Sequence, residues 1–295
     1  MKEHVLKCNG YNIAVYESGS GHIPLVLLHG GGVDSAMLSW RETMDFMPEQ
    51  YTLYAIDLLG YGKSDRPEEM KGETFYQKHI SAIESTVDQL HLDKFALSGL
   101  SMGGAIAIGY ALKNPDRVTM LIPVDSWGLV SRMPMHGLYY WYVHTSLLKA
   151  SYRLFAKHRW LVKWSLEYSL IGDKSRISET LIDEAFALCQ IPNPERSIQD
   201  YQRSSLTRSG TVPDYTERLK ELSMPVLFIN GEKDVLVKMK DAFRASRSVK
   251  SGQLHIMKGC KHWPQKERPE EYVKAVDAFM RQYRDEPLLH FNGLA

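Results

Sequence analysis

One serine lies in a setting that could make it a nucleophile. Residues 99–103 read Gly-Leu-Ser-Met-Gly, and they follow a predicted strand and open a predicted helix. So sharp a turn holds the serine in a strained backbone conformation with its Oγ exposed. Glycines are needed on both sides because side chains there would collide with the neighbouring elements. The pattern predicts a nucleophilic Ser101, with a helix N-terminus beneath it to stabilise a developing oxyanion.

A nucleophilic serine needs a base, and the base needs an acid to orient it. His262 is the candidate base, because it comes shortly after a strand predicted at 253–257. Asp234 is the candidate acid, because it follows the strand predicted at 225–229, and Asp125 at the end of another strand is its rival. Both carboxylates would lie at the same sheet edge, and we prefer Asp234.

A run of glycines after another predicted strand could complete the oxyanion site. His29 is followed by three glycines, and without a Cβ a backbone N–H can approach a substrate oxygen closely. We expect the amides of Gly31 and Met102 to be the donors, and we interpret His29 as the residue that orients the loop. Gly32 and Trp263 belong to the same predicted substrate site.

Short apolar runs alternate with helical patterns, which implies right-handed crossovers and a largely parallel sheet. We assign 1–126 and 219–295 to an α/β core, and 127–218 to a helical insertion that could cover the carboxyl edge of the sheet. Asn9-Gly10 predicts a hairpin. The predicted strands are 24–28, 51–58, 95–97, 118–124, 225–229 and 253–257, and the predicted helices are 39–47, 74–90, a helix ending at 113, 240–248 and 269–283.

Composition excludes several classes of protein. The 295 residues are 44% hydrophobic, and 36 Lys and Arg face 35 Asp and Glu, so no global field would attract a nucleic acid. Three dispersed cysteines argue against a disulfide framework or a zinc site and predict a reducing, cytoplasmic compartment. Charges in the first ten residues indicate no export signal. The uncharged window 95–112 suits a buried strand, turn and helix better than a membrane span.

The insertion is aromatic and basic over a short stretch. A helix of this composition can lie on an anionic membrane or bind an acidic ligand. The alternative that we favour is an aromatic face over the substrate pocket with the charges in water. The aromatic residues are Tyr139, Tyr140, Trp141, Tyr142, Tyr152, Phe155, Trp160 and Trp164, and the cations are Lys149, Arg153, Lys157, Arg159 and Lys163, with no acid until Glu167.

Taken together, these motifs closely resemble the α/β-hydrolase fold superfamily. The resemblance implies an eight-stranded, mostly parallel sheet flanked by helices, a helical cap at 127–218, a Ser-His-Asp triad, and no metal or organic cofactor. Its substrate would be a small molecule, with no integral membrane association, and the sequence leaves the oligomeric state open. The motifs that carry the resemblance are His29–Gly32, Asp57–Asp65, Gly99–Gly104, Gly231–Asp234 and Gly259–His262.

Within that superfamily the sequence favours a carboxylesterase acting on small to medium apolar or aromatic esters. One alternative is a meta-cleavage-product hydrolase, which cuts carbon–carbon bonds, because 101–105 with 114–117 and His262-Trp263 look like that group. Those enzymes usually continue the glycine run with Pro-Gly, where this chain has Val33-Asp34. A second alternative is a ligand-sensing module with residual hydrolysis, which the placement of Asp34 and Trp40 resembles.

Overall fold

The computed structural model describes residues 1–68, 70–72, 74–191 and 194–284. In these residues one sheet contains β1 (Lys2–Cys8), β2 (Tyr11–Gly19), β3 (Ile23–Leu28), β4 (Tyr51–Ile56), β5 (Phe95–Leu100), β6 (Val118–Val124), β7 (Val226–Gly231) and β8 (Gly252–Met257). The strand order is β1-β2-β4-β3-β5-β6-β7-β8. Strands β3 to β8 run parallel, and the predicted hairpin joins antiparallel β1 and β2. The predicted eight-stranded α/β architecture is therefore confirmed.

Helices cover both faces of the sheet. One apolar core lies under α2, α3 and α9, and the other lies under α1 and α11. The π-helical turn Leu166–Leu170 directly follows α6. The helices are α1 (Ala36–Phe46), α2 (Thr74–Gln89), α3 (Met102–Lys113), α4 (His136–His144), α5 (Ser146–Lys157), α6 (Arg159–Ser165), α7 (Glu179–Leu188), α8 (Pro194–Ser205), α9 (Met239–Ser248), α10 (Pro264–Glu267) and α11 (Pro269–Arg284).

Several predicted strand boundaries were off by one to three residues, and two of the errors have identifiable reasons. The strand predicted at 95–97 continues to Leu100, because its last residues pair with both β3 and β6. The strand predicted at 51–58 ends at Ile56, because the Asp57 carboxylate accepts the amides of Ala36 and Lys63, each at 2.8 Å, and turns the chain away. Long-range side-chain bonds of this kind leave no local signature in the sequence.

The segment 127–218 leaves the sheet after β6 and contains α4 to α8. Among its described residues the β-type pairing is a single bridge between Leu206 and Thr211. The uncharged window at 95–112 forms β5 and most of α3, as predicted. In the described part of the chain, every helix is too short or too polar to cross a membrane.

A buried histidine in the core makes the stability sensitive to acid. His79 on α2 is fully buried, neither ring nitrogen has a hydrogen-bond partner among the described residues, and its ring packs edge-on against Phe75 at 4.7 Å. Burial lowers the pKa of His79 to about 3. Below about pH 6.5 His79 is protonated in the unfolded chain but stays neutral in the folded chain. The free energy of unfolding therefore falls as the pH drops from about 6.5 towards 3.

We expect His79→Leu to remove this sensitivity. Between about pH 7 and pH 5 the buried histidine lowers the free energy of unfolding of the wild type by about 2 kcal/mol, and the leucine variant does not show this decrease. Urea unfolding at the two pH values measures the difference, so a constant packing effect cancels. His22→Leu, at an exposed histidine, is the matched control. A variant that loses as much stability on acidification as the wild type would contradict the prediction.

Candidate active site

Ser101 lies on the tight turn between β5 and α3. Its backbone has φ +52° and ψ −114°, the strained conformation that the motif predicts, and its amide donates to the Val124 carbonyl at 2.9 Å. A Cβ on Gly99 would lie 2.3 Å from the Gly103 carbonyl oxygen, and one on Gly103 would lie 2.4 Å from the His29 carbonyl oxygen. Only glycine fits at either position, so the turn is built around the serine.

The structure brings His262 and Asp234 together. His262 Nδ1 lies 2.7 Å from Asp234 Oδ2, and both side chains are almost fully buried. The other carboxylate oxygen of Asp234 accepts the Leu236 amide at 2.7 Å. Burial alone would raise the pKa of Asp234, but the His262 charge and these hydrogen bonds hold it below its usual range. Asp234 is thus an anion that fixes one face of the imidazole.

Asp125, the rival acid, lies beside this pair. Its Oδ1 accepts the Gly231 amide at 3.0 Å, its φ is +40°, and ligand atoms of Asp125, Asp234 and His262 all lie within 4.8 Å of one another. Burial, and after it the charge of Asp234, raise the pKa of Asp125 well above its usual value. Two adjacent buried carboxyls cannot both ionise, so the charge resides on Asp234 and Asp125 keeps its proton.

Buried polar side chains hold the glycine loop after β3 in place through hydrogen bonds. His29 Nε2 accepts the Leu58 amide at 3.0 Å and Nδ1 donates to the Gly30 carbonyl at 2.7 Å, while burial lowers the pKa of His29 to about 4, so the ring is neutral. Asp34 accepts the Gly30 amide at 2.8 Å and the Ser39 hydroxyl, and burial raises its pKa to about 7. His29 therefore supports the loop from the core side.

The proposed oxyanion donors have free amides. Among the described residues neither the Gly31 nor the Met102 backbone N–H has a protein acceptor. The Met102 side chain points away from the site, since its sulfur lies 3.8 Å from the Tyr61 hydroxyl in the core. Free amides at a loop and at a helix start are what a developing oxyanion requires.

Tyr201 on α8 is a site residue that sequence reasoning missed. It is half-buried and lines one cavity together with Ser101, and a Cβ on Gly31 would lie 2.6 Å from its ring. Burial raises the pKa of Tyr201, so the phenol keeps its proton. The spacing of residues in the sequence could have pointed to this helix face, because Ser197, Tyr201 and Ser205 recur every four residues. The two serines form hydrogen bonds with the Gly60 carbonyl and the Tyr76 hydroxyl in the core domain.

A cavity of about 490 Å³ lies between the sheet edge and the insertion. Five of the predicted site residues line this cavity, namely Gly31, Gly32, Ser101, His262 and Trp263. The other three, Asp234, His29 and Met102, are not part of its lining. Aromatic and aliphatic side chains from α4, α5 and α6 form much of the opposite wall, including Tyr139, Tyr152, Phe155 and Val162. The cavity is therefore shaped for an apolar molecule placed against Ser101.

Comparison with known proteins gives a consistent result. The chain is 23% identical over 285 residues to a 2-hydroxy-6-oxo-6-(2'-aminophenyl)hexa-2,4-dienoic acid hydrolase of Metapseudomonas resinovorans, covering 96% of this chain and 92% of that protein. It is 27% identical over 274 residues to a 2-hydroxy-6-oxononadienedioate/2-hydroxy-6-oxononatrienedioate hydrolase of Klebsiella pneumoniae, covering 91% and 90%.

A solved structure and a family profile agree with this. The 2-hydroxy-6-oxo-6-phenylhexa-2,4-dienoate hydrolase from a Rhodococcus species superimposes with a TM-score of 0.78 at 23% identity, covering 95% of this chain and 98% of that one. At this identity the superposition shows the fold. The sequence profile of the alpha/beta hydrolase fold matches residues 23–269, which is most of the chain. The chain accordingly belongs to the α/β-hydrolase fold family.

Proposed function

We propose that the protein is a serine hydrolase in which Ser101, His262 and Asp234 form the catalytic triad. The observation that carries the proposal is the buried 2.7 Å contact between His262 Nδ1 and Asp234, with a strained Ser101 in the same cavity. Asp234 occupies Nδ1, so Nε2 is the nitrogen that takes the Ser101 proton. Ser101 Oγ then attacks a carbonyl carbon, and the Gly31 and Met102 amides bind the oxygen that becomes negative.

The relatives favour cleavage of a carbon–carbon bond. Of the two curated relatives named above, one is named for a 2-hydroxy-6-oxo-dienoic acid and the other for 2-hydroxy-6-oxo-dienedioates and -trienedioates, and each alignment covers at least nine-tenths of this chain. The 2-hydroxy-diene first tautomerises to the keto form, a vinylogous diketone, in which the electron pair of the broken carbon–carbon bond is delocalised onto the 2-oxo group. The leaving carbon takes the proton from His262, and water then releases the acyl group from Ser101. Carbon–carbon hydrolysis is the first candidate activity for this chain.

Hydrolysis of an uncharged ester is the second candidate, and the cavity favours it. Among the described residues that line the cavity there is no lysine or arginine. A dienoate carries a carboxylate, and burying that charge without a cation beside it costs free energy. A neutral ester carries no such charge, so its burial does not incur this cost. The steps are the same, except that the bond broken is C–O and the alcohol takes the proton. The sensor alternative has less support, because Asp34 and Trp40 are buried away from the cavity wall.

Two substrates decide between the candidates. We expect 2-hydroxy-6-oxo-6-phenylhexa-2,4-dienoate to be hydrolysed, with loss of its dienolate absorbance, and kcat/KM to exceed that for p-nitrophenyl esters from acetate to decanoate. Ester turnover without dienoate turnover would select the second candidate. Failure on both substrates, with no labelling of Ser101 by a fluorophosphonate, would contradict the triad itself. The Ser101→Ala protein is the blank for each assay.

The same proposal extends to the organisation of the chain. We assign 127–218 the role of a cap domain, because its helices supply one wall of the cavity while the strand ends supply the other. A cytoplasmic location is supported by three buried, unpaired cysteines. Nothing in the proposed reaction requires a cofactor, since the triad and two amides supply the base, the nucleophile and the oxyanion donors.

A further inference from the structure

Most exposed apolar side chains of the described residues lie in two stretches of the sequence. Among the described residues, nine of the sixteen large hydrophobic side chains that face solvent lie in the stretch 135–168, and four more lie in 235–243. The sequence predicted that the aromatic residues of the insertion would face the pocket, and for Trp141, Trp160 and Trp164 this was wrong. Large exposed apolar clusters mark surfaces that meet another apolar phase.

The cluster contains a regular stripe on α6 and the turn that follows it. Trp160, Trp164 and Tyr168 recur every four residues, and their exposed fractions are 64%, 51% and 60%. The Trp164 and Tyr168 rings stack face to face, 5.2 Å apart and only 7° from parallel. Stacking restricts the Trp164 and Tyr168 rings relative to each other, and both rings remain exposed.

Positive charge accompanies the stripe. Lys157 and Lys163 are exposed next to it, and neither has an ion-pair partner among the described residues. The stretch 135–168 contains one acid, Glu167, and Lys174 neutralises it at 3.0 Å. Tryptophan and tyrosine interleaved with unpaired lysines is the composition of helices that lie at the surface of anionic bilayers.

The same helix also borders the active site. Val162, Ser165 and Leu166 on its inner side line the cavity, while the aromatic stripe occupies its outer side. Leu236 lines the cavity too and is 52% exposed, which places it at the cavity mouth. The aromatic stripe and the cavity lining thus lie on opposite sides of one helical segment.

We propose that the aromatic–basic face, made of Trp160, Trp164, Tyr168, Lys157 and Lys163, binds the surface of an anionic lipid bilayer. A second copy of the chain fits this face less well. In a two-fold dimer each face would meet itself, and the lysines without an ion-pair partner among the described residues would oppose one another. Anionic headgroups supply the missing countercharge, and the acyl region receives the rings.

Vesicle co-sedimentation tests the proposal without any substrate. We expect the wild-type protein to bind vesicles of equimolar phosphatidylcholine and phosphatidylglycerol, to bind pure phosphatidylcholine less, and to be released by salt. Trp160→Ser combined with Trp164→Ser lowers the affinity about tenfold or more. The matched control is Phe46→Ser, an exposed aromatic on α1 outside the face. Circular dichroism and thermal unfolding confirm that each variant is folded.

A second pair of variants keeps the test independent of the tryptophans. Lys157→Glu combined with Lys163→Glu also lowers affinity about tenfold or more, whereas Lys94→Glu, at the opposite end of the sheet, leaves it unchanged. Wild-type protein that stays in the supernatant, or variants that bind as tightly as the wild type, would overturn the proposal. So would a change from dimer to monomer in the tryptophan variant without vesicles, which would assign the face to a second copy.

Discussion

Ser101→Ala lowers kcat by about six orders of magnitude and abolishes labelling by a fluorophosphonate. The nucleophile, base and acid of such a triad act as a unit, so removing the serine removes the covalent route altogether. What remains comes from the free amides of Gly31 and Met102 and from binding in the cavity. Alanine keeps the Cβ of serine, so the strained turn at φ +52° accommodates it and the fold is retained. Steady-state kinetics on whichever substrate is turned over gives the ratio.

Ser98→Ala provides the matched control for that experiment. Ser98 is also a buried serine of β5, but its hydroxyl donates to the Ile122 carbonyl at 2.9 Å and contacts the Tyr272 hydroxyl on the far side of the strand. Its loss removes a structural hydrogen bond worth about 1 kcal/mol and leaves the reaction intact. A Ser101→Ala protein with activity within tenfold of the wild type would remove Ser101 from the mechanism.

Asp234→Asn lowers kcat by about four orders of magnitude. The asparagine side chain still fits between His262 and the Leu236 amide, but it lacks the charge that stabilises the imidazolium. Its amide group can also donate to Nδ1, which leaves the proton on Nε2, where the base is needed. The measurement is kcat for variant and wild type, with the thermal unfolding midpoint as a check on folding.

Asp125→Asn is the informative partner of that variant. Because Asp125 keeps its proton beside the charged Asp234, an amide replaces it with nearly the same shape and a retained donor. We expect kcat to change by less than about tenfold. The opposite ranking, with Asp125→Asn severe and Asp234→Asn mild, would transfer the role of the orienting acid to Asp125.

Much of the candidate site was accessible from sequence because of how parallel sheets are built. The carboxyl ends of β3, β5, β7 and β8 lie at one edge, so a residue type placed just after each strand is brought to the same place. The glycine run, the serine turn, Asp234 and His262 each follow such a strand. Chain order and strand ends thus suffice to bring these groups together, even though they are far apart in the sequence.

The geometry of the site supports the preference for Asp234 over Asp125. Asp125 and Asp234 both follow strands of the sheet, and residue type cannot rank them. Three-dimensional geometry does, because only Asp234 lies 2.7 Å from the His262 ring, while Asp125 accepts the Gly231 amide. The pKa values of the two carboxyls then separate in opposite directions, which is a property of the pair and of its burial.

By itself the sequence indicated the α/β fold, the turn that carries Ser101 and the order of the candidate catalytic groups, because glycine spacing and strand–helix alternation are local patterns. Tertiary structure alone decided that Tyr201 joins Ser101 in the cavity wall and that Trp160 and Trp164 face outward. The insertion is aromatic on more than one side of its helices, so periodicity cannot say which side meets the cavity. Packing against the sheet edge selects one side, and the other is left exposed to its surroundings.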